Sequence, residues 1–184
     1  MVVLGFLFGL FFLGLIAVKG DFELVDLVEV LKRRKREGWE FRGVPGESIA
    51  EHIFGTIFFS YLIGLEIERD LDWRKLFTIA LVHDLPEALV SDLDKVSQQY
   101  IYCKEEAEKR AVREFGGDVA ERWGEYSSGS CLEAEIVKEA DKLDMYNRAV
   151  KLIEIGYSRD ILGDFLEVDF SLEESEEMAE ELVD

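Results

Sequence analysis

Residues 76–94 read Leu-Phe-Thr-Ile-Ala-Leu-Val-His-Asp-Leu-Pro-Glu-Ala-Leu-Val-Ser-Asp-Leu-Asp, an apolar helical run that leads into a dense polar cluster. The residue before a proline is driven out of the α region, so the pattern predicts that the helix ends or kinks there. His83 and Asp84 then lie at the break, and Glu87 and Asp92 follow within ten residues of the histidine. Burying this much polar and charged surface is costly unless it is compensated. A bound divalent cation would compensate it.

The composition limits the classes of partner. The chain has 184 residues, which is the size of one domain, and a formal net charge of −19 with a sequence pI near 4.5. Such acidity argues against a nucleic-acid polymer, because binding to phosphates needs clustered Lys and Arg. A small phosphorylated ligand stays compatible, since a metal ion and a few arginines can form a local positive pocket. Cys103 and Cys131 form no CxxC pair, which favours reduced thiols and a cytoplasmic protein.

A change in composition near residue 20 divides the chain into two parts. Residues 1–20 form an apolar segment, and residues 21–184 form a domain that ends in an acidic helix. Residues 1–18 carry no charged side chain, and their length is at the lower limit for a membrane span of about 20 residues. Three interpretations stay open. The segment is a membrane anchor with the domain facing the cytoplasm, a hydrophobic helix packed on the domain or on a second subunit, or an extension upstream of the native start.

The first two helices of the domain follow from periodicity and capping. Apolar spacing predicts a helix over 21–37 that ends at Gly38. Ser48 with Glu51 three residues later forms a capping-box pattern for a second helix. This helix has no charged residue over 53–65, so we expect it to run through the core with apolar side chains nearly all round.

The remaining pattern predicts only helices. Asp72 is a good N-cap for the helix that leads to His83. Further helices are predicted over 95–115, 119–126 and 131–155, with a last one after residue 172.

Two histidines, His52 and His83, are the only imidazoles in the chain. His52 alone would most simply be a structural core residue. The 131–155 helix places Asp141 and Asp144 beside its buried stripe, and Asp141 is a candidate ligand because a mid-helix position suits neither a cap nor a surface ion pair. Two imidazoles and two carboxylates suit a first-row divalent ion, which activates water and neutralises phosphoryl oxygens.

The order His52, His83-Asp84, Asp141 resembles the H…HD…D signature of the HD-domain metal-dependent phosphohydrolases, over roughly residues 21–166. Several local motifs resemble the 5′-deoxynucleotidase branch of that superfamily: Gly38-Trp39, Arg42-Gly43-Val44, Glu47-Ser48, Ala50-Glu51-His52, the stretch 82–88 followed by Asp92, and Lys138-Glu139-Ala140-Asp141.

This resemblance implies an all-α bundle of seven to nine helices, usually a homodimer, that removes phosphate from deoxynucleoside 5′-monophosphates. It implies one divalent metal ion, Mn²⁺ or Co²⁺, with Zn²⁺, Fe²⁺ and Ni²⁺ as alternatives. The metal ligands it implies are His52, His83, Asp84 and Asp141.

The same resemblance implies roles for the other site residues. Glu87 and Asp92 match acidic pocket residues that orient water, protonate the leaving oxygen or contact the sugar. Arg36 matches the phosphate-binding arginine, with Arg42 as the alternative, and Trp39 matches a tryptophan that favours deoxyribose. Two departures are visible: Ser91 replaces a common glycine, and Trp39 stands three residues after Arg36 rather than next to it.

Other functions use the same ligand set. HD phosphohydrolases that cleave nucleoside triphosphates or cyclic nucleotides share these four ligands, and pocket shape separates them. A non-catalytic metal and nucleotide sensor, held at the membrane by residues 1–18, is a further alternative. Glu87 and Asp92 argue against the sensor, which has less need of them. A dinuclear oxygenase would need further histidines than the chain contains.

Overall fold

The fold is all-α, as predicted. The computed structural model describes residues 21–183, so the apolar segment 1–20 and its three interpretations lie outside the described residues. Within the described part there is no β-strand, and the secondary structure comprises ten α-helices and two short 3-10 turns, Ser97–Gln99 and Gly163–Phe165. The helices are α1 Asp21–Leu31, α2 Glu37–Phe41, α3 Ile49–Glu66, α4 Trp73–Val82, α5 Glu87–Val90, α6 Lys104–Phe115, α7 Gly117–Ser128, α8 Leu132–Glu154, α9 Arg159–Leu162 and α10 Glu173–Glu181.

The centre of the bundle is the packing of α3 along α8, with α4 lying against both. Ile63 of α3, Leu76 and Ile79 of α4, and Ile136 and Leu143 of α8 are fully buried in one core. Burying a side chain of this size stabilises the fold by about 1.5–3 kcal/mol. The three helices that carry the predicted ligands are therefore the best-packed part of the protein.

Two smaller cores flank this centre. One lies under α1 and includes Leu31, Val82 and Trp123. The other packs Trp39 of α2 against Leu152 of α8 and the segment after α9. The predicted site lies where these two cores meet the central one.

Both predicted helix starts are confirmed. The Ser48 hydroxyl accepts from the Glu51 amide, and the Glu51 carboxylate accepts from the Ser48 amide, which completes the capping box of α3. The Asp72 carboxylate accepts from the Lys75 amide at the start of α4. The chain leaves α4 after Val82, as the proline predicts, and α5 begins directly after Pro86.

The prediction of one helix over 21–37 is wrong in its second half, because α1 ends at Leu31. The Arg36 amide donates to the Glu47 carbonyl and the Ile49 amide donates to the Arg34 carbonyl, each at 2.9 Å. This short antiparallel pairing satisfies backbone groups that a longer helix would have used. It also brings the basic run, residues 32–36, next to the break after α4.

The prediction of a helix over 95–115 is also wrong at its start, because α6 begins at Lys104. The Asp94 carboxylate accepts from the amides of Val96 and Ser97. This side-chain capping competes with helix formation and favours a turn. Residues 91–103 are consequently an irregular wall beside the site.

The expected burial of α3 on all sides is the third correction. Phe54 is 70% exposed and Phe58 is 55% exposed, because α8 and α4 cover only one side of the helix. An uncharged helix therefore faces solvent with aromatic side chains.

Replacing Ser48 by alanine removes the cap of α3 and should lower the free energy of unfolding by about 1 kcal/mol. In a chain of this length the midpoint of thermal unfolding should fall by roughly 2–4 °C. Calorimetry measures both. The exposed Ser128→Ala variant is the control, and an equal change in both variants would contradict the cap.

Candidate metal centre

The four predicted ligands come from three elements and meet at one point. His52 lies in the first turn of α3, His83 and Asp84 follow α4, and Asp141 lies in the middle of α8. The His52 Nε2 atom is 3.4 Å from His83 Nε2, 3.1 Å from Asp141 Oδ1 and 3.5 Å from Asp84 Oδ2. His83 Nε2 is also 3.5 Å from Asp84 Oδ2. His52, His83 and Asp84 each offer a ligand atom within 4.8 Å of the other two, which is close enough for one cation to contact all three. Asp141 joins this group through its contact with His52.

The second nitrogen of each imidazole is already engaged. His52 Nδ1 is 2.7 Å from Asp144 Oδ2, and His83 Nδ1 is 2.7 Å from the Ala80 carbonyl oxygen. Because each partner is an acceptor, each Nδ1 carries a proton and donates it. In the neutral rings both Nε2 lone pairs then point toward the two carboxylates. Four converging acceptors fit a cation, and imidazole with carboxylate ligands suits a first-row divalent metal.

The charges in this cluster are strongly coupled. Burial and the Arg36 charge lower the pKa of His52, but hydrogen bonds to Asp141 and Asp144 outweigh them and raise it to about 10. Burial alone would raise the pKa of Asp141, yet its hydrogen bond to His52 and the nearby positive charges hold it well below its usual range. In the absence of a metal ion, these contacts favour a proton on the His52 ring, and a divalent ion would displace that proton.

Two outer residues that the sequence reasoning did not assign to the site hold the ligands. Asp144 fixes His52 through Nδ1, and the Tyr126 hydroxyl donates to Asp141 Oδ2 at 3.0 Å. Tyr126 thereby leaves Asp141 Oδ1 to face the imidazoles. The i, i+3 spacing of the two aspartates was a signal for Asp144, whereas nothing local indicated a tyrosine on α7.

Gly55 makes room for the Asp144 carboxylate. A Cβ atom added to Gly55 would overlap the carboxylate oxygen Oδ1. Gly55 lies one turn after His52 on α3, and the space beside it is filled by this carboxylate. The helices α3 and α8 can approach closely at this point because glycine has no side chain.

The two arginines lie in different places. Arg36 Nη1 donates to Asp84 Oδ2 at 3.0 Å, so its guanidinium lies beside the predicted ligands. Arg42 Nη2 pairs with Asp164 at 2.6 Å, and its guanidinium lies over the Phe165 ring. The Arg42 guanidinium is therefore engaged by Asp164 and Phe165, and Arg36 is the arginine next to Asp84.

Trp39 offers little surface to a ligand. Its side chain is 2% exposed, its indole N–H donates to Glu47 Oε1 at 3.1 Å, and its ring stacks on Phe165 at 4.3 Å between centroids. The predicted contact with the sugar is thus limited to the small edge that lines the cavity.

Glu87 lies beside the cluster, and the pKa of its carboxyl group is shifted in the opposite direction to that of Asp84. It is 3% exposed, and its Oε2 atom has no hydrogen-bond partner among residues 21–183. Burial and the charges of Asp84 and Asp92 raise the pKa of Glu87 well above its usual value, although Lys104 Nζ lies 3.5 Å from Oε1. Burial outweighs this long ion-pair contact and favours the protonated form of Glu87, which can donate a proton.

Ser91 adopts a glycine-like backbone conformation before Asp92. Its φ of 67° and ψ of 156° place a non-glycine residue in a region that is costly for it. Arg34 Nη1 donates to the Ser91 hydroxyl at 2.8 Å and to the Glu87 carbonyl at 2.7 Å. The loop keeps the shape that glycine would allow, and the Asp92 carboxylate accepts from the Glu37 amide.

These groups line one cavity of about 740 Å³. Its lining includes Arg36, His83, Asp84, Glu87, Asp92, Lys104, Tyr126, Asp141 and Phe165. This volume lies within the usual range for small-molecule sites of about 300–1,000 Å³.

A family model described as HD domain matches residues 28–178. This chain belongs to the HD-domain family. The match covers every helix from α2 to α9 and includes all four predicted ligands.

Several HD-domain relatives are similar over most of their length. A protein of Xenopus laevis named 5′-deoxynucleotidase HDDC2 is 30% identical and covers 81% of this chain and 77% of its own. A Dictyostelium discoideum protein of the same name is 34% identical, with 69% and 74% covered. A solved structure of a conserved hypothetical protein from Pyrococcus furiosus is 36% identical, with a TM-score of 0.79 and coverage of 88% of this chain and 98% of that one.

Replacing Gly55 by alanine should displace the Asp144 carboxylate from His52 and weaken Mn²⁺ binding by roughly 10- to 100-fold, the usual effect of losing an outer partner of a ligand. Isothermal titration with Mn²⁺ measures this. Gly124→Ala is the matched control, because a Cβ there meets nothing within 4 Å. Alanine favours a helix at both positions, so unchanged affinity in Gly55→Ala would contradict the role of Asp144.

Proposed function

We propose that this HD-domain protein is a metal-dependent 5′-deoxynucleotidase, which hydrolyses deoxynucleoside 5′-monophosphates to deoxynucleoside and phosphate. The observation that carries the proposal is the grouping of two imidazoles, two carboxylates and Arg36 beside the buried Glu87, whose Oε2 atom has no hydrogen-bond partner among the described residues. Relatives that align over most of the chain are named 5′-deoxynucleotidases in animals, a yeast and an amoeba.

We assign the metal to His52, His83, Asp84 and Asp141. When bound there, a divalent ion supplies an activated water and neutralises phosphoryl charge. Mn²⁺ or Co²⁺ is proposed, because a mixed imidazole and carboxylate set suits both ions. Asp144 and Tyr126 keep the ligands oriented, and the buried walls exclude bulk water from the site.

Arg36 is proposed to hold the substrate phosphate. Its guanidinium has several N–H donors, so it can keep its contact with Asp84 and donate to a phosphate oxygen as well. Arg42, held by Asp164 and Phe165, is proposed to shape the far end of the cavity instead.

Glu87 is proposed as the general acid and Asp92 as its partner. An alcohol is a poor leaving group, and a protonated acid in reach of its oxygen contributes about 10²- to 10⁴-fold in rate. Burial and the charges of Asp84 and Asp92 raise the pKa of Glu87, which favours the protonated form that this role needs.

We further propose a homodimer in the cytoplasm. The two cysteines, Cys103 and Cys131, are unpaired with each other in the described part of the chain, which suits a reducing compartment. We separately propose that residues 1–18 contact a membrane, because they carry no charged side chain.

Phosphate release from dAMP, dGMP, dCMP, dTMP and the matching ribonucleotides, with Mn²⁺, Co²⁺, Mg²⁺ and EDTA arms, tests the activity. We expect cleavage of the deoxynucleotides that EDTA abolishes. Asp84→Ala should lose bound metal and activity together, since it removes a ligand. A fully active Asp84→Ala protein would contradict the site, and cleavage of triphosphates or cyclic nucleotides alone would redirect the substrate class.

The rate should fall as the pH rises through the pKa of Glu87, because only the protonated carboxyl can donate. Glu87→Gln should keep its metal, lose about 10²- to 10⁴-fold in kcat and lose this alkaline decline. A pH profile of kcat with metal analysis measures all three. Glu105→Gln, on the exposed side of α6, is the control. An unchanged profile in Glu87→Gln would exclude Glu87 as the acid.

A further inference from the structure

One side of α3 is an exposed apolar stripe. Phe54, Phe58, Tyr61 and Leu65 are all exposed and follow one another at spacings of four, three and four residues. This spacing is close to the 3.5-residue period of helices that pair with other helices. The buried residues of α3, among them His52, lie on the side that faces α8.

The stripe continues onto α4. Tyr61 lies 6.0 Å from Trp73 and 6.5 Å from Phe77 between ring centroids, and Phe58 lies 6.4 Å from Tyr61. Leu81 extends the row by one more turn. We call this surface the aromatic face; it comprises the exposed apolar residues of α3 and α4, Phe54, Phe58, Tyr61, Leu65, Trp73, Phe77 and Leu81.

The aromatic face is large for a monomer. From the exposed fractions and aromatic areas of 150–250 Å² per residue, it offers on the order of 700 Å². The largest apolar patch on a typical monomer is about 300–600 Å². A standard protein interface buries about 800 Å² on each partner. The aromatic face therefore has the area that one half of a stable dimer needs.

The surrounding charges fit a second copy better than a membrane. The exposed segment next to the face carries both signs, with the carboxylates of Glu66, Glu68, Asp70 and Asp72 beside Arg69 and Arg74. Among residues 21–183, Arg69 and Arg74 take part in no ion pair, so both are available to carboxylates of a facing copy. A net charge of −19 repels anionic lipid and a second copy alike, but only a second copy offers arginines that can pair with the carboxylates of this segment.

We propose that the aromatic face is the homodimer interface, on which α3 and α4 of one copy pack against α3 and α4 of another about a two-fold axis. Such an interface places the same patch on both subunits and must be complementary to itself. This inference deepens the homodimer part of the proposed function. It does not depend on phosphatase activity, because its readout is mass.

The arrangement links assembly to the site. The first turn of α3 carries His52 and the end of α4 carries His83. A partner on the outer side of both helices would support the two helices that deliver the imidazole ligands. Each protomer still contains its complete set of predicted ligands.

Sedimentation equilibrium of the full-length chain across micromolar concentrations tests the interface. We expect a dimer for the native chain, and monomers for Phe54→Glu and Phe58→Glu, with the dissociation constant raised about 30-fold or more. Ile155→Glu is the matched control, since Ile155 is exposed but lies at the end of α8, outside the aromatic face. It should stay dimeric.

Mixing provides a second signature of the two-fold arrangement. Phe58→Glu and Phe58→Arg should each be monomeric alone and should form a heterodimer when combined, since equivalent faces meet. A cooperative thermal unfolding transition in each variant shows that the protomer is folded, and Phe58 does not line the cavity of the site.

Three results would overturn the proposal. A native chain that stays monomeric at micromolar concentration excludes the dimer. If Phe58→Glu then unfolds at a lower temperature than Ile155→Glu, the aromatic face is covered within the chain, with residues 1–18 as the occupant. A monomer that binds neutral phosphatidylcholine vesicles, and loses this in Phe58→Glu, makes the face a membrane surface. A dimer that survives both substitutions places the interface elsewhere.

Discussion

The buried ring of His52, held between two carboxylates of α8, is the interaction on which the site depends. Asp144 binds one ring nitrogen and Asp141 faces the other, so the imidazole joins α3 to α8 at the centre of the bundle. Removing one partner from such a buried charged cluster typically costs about 3–5 kcal/mol. The packing of the two main helices and the chemistry of the centre therefore rest on the same contacts, and Gly55 is what allows them to form.

The break between α4 and α5 shifts the pKa values of two neighbouring carboxyl groups in opposite directions. Burial raises the pKa of Asp84 by itself, but His83 and Arg36 outweigh it and lower the pKa. Glu87, three residues later, is buried without comparable positive partners, and its pKa is raised. Environments that separate the pKa values of nearby acids assign them to different tasks. Here the ionised group is suited to a cation and the protonated one to a leaving oxygen.

The loop after α5 shows how the chain keeps a strained turn without glycine. Ser91 has a positive φ, and Arg34 ties both its hydroxyl and the Glu87 carbonyl to the segment before α2. Strained backbone of this kind persists where the surroundings determine it, commonly at functional sites. Because Arg34, Arg36 and the Glu37 amide all contact the stretch from Asp84 to Asp92, the basic run and the acidic cluster form one unit.

The sequence by itself determined the fold class, the starts of α3 and α4 and the break at Pro86, and it predicted the ligands of the candidate metal centre. Those features depend on apolar periodicity, capping residues and the supply of histidines, all of which are local or compositional. It did not determine where α1 ends or where α6 begins. The backbone pairing of Arg36 with Glu47 stops the first helix, and the turn capped by Asp94 delays the second. Apolar periodicity encodes neither contact. Tertiary structure alone decided that Tyr126 and Asp144 orient the ligands, that Arg36 rather than Arg42 lies beside Asp84, and that one side of α3 faces solvent. The physical reason is that each of these outcomes depends on which helix packs against which, and an uncharged helix pattern is the same whether a neighbour covers one side or all of it.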